Sequence, residues 1–416
     1  MEVSRLLMPT IRESLDAFRA VVVQGPRQSG KTTLVRAVAA ATGGDYASLD
    51  VAANRDAAVA DPQTFIDQLT VPIVLDEIQR VGDPLVLAIK VLVDHDDRPG
   101  RALLTGSSNF LTVPQISETL AGRVDIQTLW PFSESELRGT PGTFVDRLFT
   151  DPSRLTRARS ETPTRDEYLE VVCRGGFPEA VRLSPRARAR WFDQYLLTVI
   201  DREIRAVADI RRADLLRDLA RLFAARTSQV HVTQQVAKAV GADRATVEAH
   251  RAWLQTVFLV RTVPAWSRNV ASRVTRQPKL AMVDTGLAAA LCGKDPAALR
   301  RPTDPMTGPL LETFVVNEIQ KSLGWSAVSA RLYHYRESSG VEVDIVLEAP
   351  DGRVCALEVK STVSPRPSDA AGIAALRDRI NRAGGEFVHG VVVHTGPRRF
   401  RVDDSISALP IADIWH

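Results

Sequence analysis

The sequence predicts an α/β protein built from more than one domain. Three observations carry that expectation. A buried strand, a glycine-rich turn and a helix run together from Ala20 to Ala41. Further apolar strands follow near residues 71–77 and 101–106. A second set of strands alternates with helices between Glu312 and His394. A chain of 416 residues is also too long for one ordinary domain.

Composition narrows the class. Hydrophobic residues make up 44% and charged residues 25%, which is usual for a water-soluble globular chain. No apolar run approaches the roughly 18–20 residues that span a bilayer, so no membrane role is expected. The first residues, MEVSRLLMPTIRESLDAF, lack the apolar core of a secretory leader, and a cytoplasmic location is expected. Cys173, Cys292 and Cys355 form no CxxC pair, so neither a disulfide framework nor a zinc site is predicted. A net charge of +3 makes no global case for nucleic acid. Only 7 of the 53 basic residues are lysines, so a lysine inside a motif carries weight.

The run Ala20–Val23 reads as a buried strand. Gly25-Pro26-Arg27-Gln28-Ser29-Gly30-Lys31-Thr32 follows and fits G-x-x-x-x-G-K-[ST], with Thr33 opening a helix. This is the P-loop pattern in its required strand–turn–helix context. Glycines let backbone N–H groups approach the phosphates of ATP, Lys31 reaches the β- and γ-phosphates, and the Thr32 hydroxyl binds Mg2+. The strand Val71–Leu75 ends in Asp76-Glu77, where Asp76 would approach the metal and Glu77 would act as general base toward water. The strand at 101–106 ends in Thr105, followed by Ser107 and Ser108, and all three compete for a γ-phosphate sensor role. Arg123, in LAGR, is a candidate arginine finger toward a neighbouring copy or a solvated, ion-paired residue.

These residues, in this order, resemble a prokaryotic family of AAA-type P-loop ATPases that carry a C-terminal domain of unknown function. The resemblance extends through GSSNFL, LAGRV, WPFSESEL, Gly175-Gly-Phe-Pro178-Glu179 and the helix beginning at Tyr195, and covers nearly the whole chain. It implies an ATP-binding and hydrolysing domain over 1–138, a linker and helical lid over 139–205, and possible homo-oligomers. A middle domain over 206–290 and a last domain over 291–416 complete the division.

In the middle segment, the helical stretch Val232–Val240, the turn at Gly241 and the helix Arg244–Leu254 match a helix-turn-helix. Strands at 257–263 and 279–283, joined by the basic loop 267–277, complete a winged-helix pattern. Arg244, Arg251, Arg268 and Arg273 are candidate DNA contacts; packing against the lid or a protein partner is the competing role. Asp284, in DTGL, is expected to cap a short helix.

From Glu312 onward the predicted order is αβββαβ, the core of restriction-endonuclease-like folds. Asp344 lies on the middle strand, and Glu358-Val-Lys360 closes the next. Glu358 and Lys360, two apart, share one strand face. Asp344, Glu358 and Glu318 would hold Mg2+ or Mn2+, with Lys360 steadying the attacking water. The competing reading is a partly buried salt-bridge network without chemistry. Taken together, the sequence predicts an ATPase coupled to DNA binding, and leaves open whether the second site cleaves DNA with a metal or only binds it. The rival is an ATP-driven signalling switch whose last two domains are non-catalytic interaction modules.

Overall fold

The computed structural model describes residues 3–106, 122–157, 162–200 and 213–416. Two compact units divide the chain: residues 2–132 with 255–258, and residues 133–254 with 259–416.

The first unit is a five-stranded parallel sheet. Its strands are β1 (Ala20–Gln24), β2 (Tyr46–Ser48), β3 (Ile73–Asp76), β4 (Ala102–Gly106) and β5 (Val124–Thr128), in the order β2-β3-β4-β1-β5. The runs AVVVQ, IVLD and ALLTG are buried along their whole length, as strands covered on both faces must be. Val22, Leu75 and Leu104 meet the helix Asp83–His95 through Leu85, Val86 and Ile89 on one face. Val21, Val23, Val74 and Leu103 meet the helices Met8–Ala17 and Lys31–Thr42 on the other, through Ile11, Leu15, Leu34 and Val35. Period-2 alternation thus sorts each strand's side chains between two cores. Because all strands run the same way, Gln24, Ser48, Asp76 and Gly106 end on a single edge. The strand β4 stands between β1 and β3, so its last residues lie between the glycine loop and Asp76.

The second unit begins with helices that include Arg165–Arg174, Pro178–Arg182 and Pro185–Thr198. Next come the helix Thr233–Val240, Gly241 at φ 63°, and the helix Arg244–Thr256. A three-stranded antiparallel sheet accompanies them: β6 (Gln229–Val230), β7 (Val260–Val263) and β8 (Lys279–Met282), with β8 central. The basic loop between β7 and β8 is not wholly open, because Val270–Thr275 forms a helix capped by Asn269.

The helix Thr307–Ser322 leads into β9 (Arg331–Arg336), β10 (Glu342–Glu348), β11 (Val354–Lys360), β12 (Phe387–His394), β13 (Phe400–Arg401) and β14 (Ile406–Pro410). They form one sheet in the order β13-β14-β12-β11-β10-β9, mixed in direction. The helix Ala371–Arg382 covers one face with Ile373, Leu376 and Ile380 against Val343, Val346 and Ala356. The expected αβββαβ order is present, extended by β13 and β14. A bulge between Val343 and Val346 shifts the register of β10 against β9, and Asp344 sits in it. Bulges re-aim side chains at the point of insertion.

Candidate functional site

The glycine loop leaves β1 at Gln24 and turns at Gly25, whose φ is 146°. A Cβ there would stand 2.3 Å from the Leu129 carbonyl oxygen, so only glycine fits. Gln28 and Gly30 also adopt left-handed backbone, at φ 60° and 97°. Gly30 immediately precedes the helix Lys31–Thr42, so the helix's unsatisfied N–H groups face the loop. Lys31 is buried, and its Nζ donates to the carbonyls of Gly25 and Pro26, both at 2.9 Å. A buried ammonium that donates to loop carbonyls can exchange them for phosphate oxygens, which bear more charge. The Ser29 hydroxyl is buried without a partner among the described residues.

Asp76, at the end of β3, gathers three hydroxyls. Thr32 Oγ1 donates to Asp76 Oδ2 at 2.8 Å, the Tyr46 hydroxyl donates to the same oxygen at 2.9 Å, and Thr105 donates to Oδ1. Thr105 also accepts the Glu77 backbone N–H at 3.0 Å. Glu77 itself has φ 62°, a left-handed conformation that costs a non-glycine residue about 1–2 kcal/mol. Burial raises the Glu77 carboxyl above its ordinary pKa, against the opposing field of Lys31. A raised carboxylate is the better proton acceptor near neutral pH.

This donor set fits magnesium and a triphosphate. A hydroxyl and a carboxylate already in contact supply the hard oxygen ligands that Mg2+ prefers, alongside phosphate oxygens and water. Thr32 and Asp76 would hold the ion, which would neutralise charge on the phosphates.

Of the three sensor candidates, Thr105 lies beside Asp76 and Glu77, whereas Ser107 and Ser108 lie outside the described residues. Arg123 stands at the opposite edge of the sheet, where its carbonyl accepts from Ala20 N at 3.4 Å and its guanidinium pairs with Asp94. Tyr46 was not expected from the sequence. It lies on the short strand β2, where its apolar body and edge position resemble any packing tyrosine.

In the second unit, Asp344 and Glu358 meet, but Glu318 does not join them. Glu318 Oε2 accepts the Glu134 backbone N–H at 2.8 Å, and its Oε1 accepts from Lys321 at 2.8 Å. Six residues at 100° each turn Glu318 well away from Glu312 on the same helix. Glu312 is the helix acid that reaches the cluster. Lys279 Nζ, from β8, lies 2.8 Å from Glu312 Oε1, 2.9 Å from Glu342 Oε1 and 3.1 Å from Asp344 Oδ1. Asp344 Oδ2 accepts the Val359 N–H at 2.9 Å, and Lys360 Nζ lies 2.7 Å from Glu358 Oε1. Burial and the neighbouring Asp344 push Glu358 up to about 7 and Glu312 up to about 8. Burial alone would lower the Lys279 ammonium; Glu312, Asp344 and Glu342 outweigh it and raise it. No group of three or more His, Cys, Asp or Glu suited to a metal occurs among the described residues. The side chains present therefore do not fit a metal ion: an ammonium already sits among the acids.

The four candidate DNA contacts divide. Arg244 is exposed. Arg268 is exposed and donates to the Ala383 carbonyl. Arg251 Nε donates to Glu248 at 2.9 Å. Arg273 makes a two-pronged pair with Glu348, at 2.6 and 2.8 Å, and lies over the Tyr333 ring. Short-range spacing could not reveal that Arg273 turns toward β10, 75 residues away.

Fold and site together define an AAA-type P-loop ATPase domain joined to a C-terminal domain of unknown function. Residues 17–138 match the family model of an AAA domain. Residues 165–298 and 307–414 match two domains of unknown function, DUF8612 and DUF4143. The chain is 28% identical over 407 residues to uncharacterized proteins of Mycobacterium tuberculosis (Rv2008c) and Mycobacterium bovis (Mb2031c), covering 97% of this chain and 82% of each relative. Among solved structures, the Walker-type ATPase PABY2304 of Pyrococcus abyssi aligns at 16% identity and TM-score 0.42, covering 68% of this chain and 94% of that one. The Thermotoga maritima RuvB Holliday junction branch migration motor aligns at 18% identity and TM-score 0.32, covering 63% and 90%. No helix among the described residues is long and apolar enough to cross a membrane.

Proposed function

We propose that the protein is a magnesium-dependent ATP hydrolase whose nucleotide state governs binding of DNA by its second unit. The observation that carries the hydrolase reading is the chain Thr32–Asp76–Thr105–Glu77, assembled at one sheet edge beside Lys31. Lys31 would bind the β- and γ-phosphates. Glu77 would accept the proton of the attacking water. Thr105 would report the γ-phosphate to both acids, and Arg123 would serve a neighbouring copy after release from Asp94. Arg244 and Arg268, exposed in and beyond the helix–turn–helix, support the DNA half of the reading. Metal-dependent cleavage is left out of it, because Lys279 occupies the acidic cluster.

A second reading is a switch whose last two domains bind protein rather than DNA. It is favoured by the ion pairs of Arg251 with Glu248 and of Arg273 with Glu348, which commit two of the four arginines to carboxylates of the fold. Binding of a fluorescent duplex, with and without a non-hydrolysable ATP analogue and over a range of salt, separates the two. A nucleotide-dependent affinity that falls steeply with salt supports DNA. No binding in any nucleotide state supports the switch.

A further inference from the structure

We infer that Lys279 is a resident cation standing where a nuclease-type domain would hold its divalent metal, and that the carboxylates around it form a latent metal site only when that lysine is removed. The argument starts from cost. A buried carboxylate without a partner is expensive; Asp344 and Glu358 are buried, and the half-buried Glu312 and Glu342 join them at one place. A domain of this αβββαβ order can neutralise such acids with an ion from solution or with a side chain of its own. Here the side chain is present. One ammonium touches three of the four acids, and Lys360 holds the fourth.

Two features hold the ammonium among the acids. Lys279 is the first residue of β8, the central strand of its sheet, and pairs with Val230 on one side and Val263 on the other. The two ladders fix the backbone from which the ammonium reaches the acids. Its side chain is also only 5% exposed, although Lys279, Glu312 and Glu342 line an open pocket. Geometry excludes coexistence with a metal. An ion about 2.1 Å from both Glu312 Oε1 and Asp344 Oδ1 would overlap the volume of an ammonium that hydrogen-bonds to those same oxygens. The two positive charges would also repel at close range.

What remains around Lys279 is a set of carboxylate oxygens that its ammonium keeps about 3 Å from one point. Glu358 Oε2 is buried with no partner among the described residues, and the Glu358 residue is only 9% exposed. Asp344 is aimed by its bulge and anchored by the Val359 N–H. Neutralising position 279 leaves four carboxylates against Lys360 and the more distant Arg336.

The test is Mn2+ binding to the nucleotide-free full chain, followed by the paramagnetic resonance of free Mn2+. The native chain should show no site that Asp344→Asn removes. Lys279→Ala should gain one Mn2+ site, at least about tenfold tighter than any residual binding, and Lys279→Ala/Asp344→Asn should lose it again. A native chain that binds Mn2+ in an Asp344-dependent way overturns the inference. So does a folded Lys279→Ala protein that gains nothing. Should the alanine variant not fold, Lys279→Gln keeps most of the side chain's length without the charge and takes its place in the same titration.

Discussion

The Thr32 hydroxyl donates to Asp76 Oδ2 across 2.8 Å, joining the first turn after the glycine loop to the end of β3. The pair links the two motifs on which nucleotide chemistry depends. Thr32→Val keeps the shape of the side chain and removes this oxygen. ATP turnover should then need about tenfold more magnesium to reach half its maximal rate, a loss near the worth of one charge-assisted hydrogen bond. Titrating MgCl2 at fixed ATP measures it.

Glu77 should separate binding from hydrolysis. Glu77→Gln keeps the size of the side chain and should bind ATP with native affinity, yet turn over on the order of a hundredfold slower or more. A general base acts only when ionised, and burial raises the Glu77 pKa. Turnover should therefore fall as pH drops through a value above the ordinary carboxylate range. In Glu77→Gln that acid limb should vanish from the residual activity. A pH–rate profile of both proteins checks the sign.

Asp284 and Gly175 bring two of the sequence's short motifs into contact. Asp284 Oδ2 accepts the Gly176 N–H at 2.7 Å while Oδ1 caps the helix at Leu287 N, 2.9 Å away. Gly175 has φ 68°, and a Cβ there would lie 2.3 Å from Asp284 Oδ1. Gly175→Ala should cost about 2 kcal/mol or more, from backbone strain and the displaced cap together. Urea unfolding should show a lower midpoint, with ATP affinity of the folded protein unchanged.

Three buried histidines make the second unit acid-sensitive. His334, His389 and His394 are each pushed down to about 4, with burial the largest cause. In the unfolded chain they take up protons near their ordinary value of about 6.5. Between those limits the unfolded state binds more protons, so stability should fall as pH drops from about 6.5 toward 4. His389→Gln should flatten part of that slope in denaturant midpoints measured across the range.

The P-loop, β3 with its acids, and the strands β11 and β12 were legible because each is a local pattern: a fixed spacing or an unbroken apolar run. Asp344, Glu358 and Lys360 stand on the strands where they are expected for the same reason. What escaped depends on tertiary packing. Glu312 and Glu318 lie on one helix, and periodicity could not say which face would turn toward β10. Lys279 comes from β8, 65 residues before Asp344, and reads in sequence only as the start of a strand. A signal was available: KLAM places one of seven lysines at the head of an otherwise apolar buried strand, where a charge needs a partner. Tyr46 and Arg273 carried no comparable mark, since a tyrosine on a strand and an arginine in a basic loop are ordinary.

Equilibrium binding of fluorescent ATP in the presence of magnesium tests the central claim most directly. The native chain should bind one nucleotide, and Lys31→Ala, still folded, should bind it at least about a hundredfold more weakly. Equal affinity in the two proteins, or no binding by the native chain, would contradict the assignment of the glycine loop and Lys31 as the nucleotide cradle.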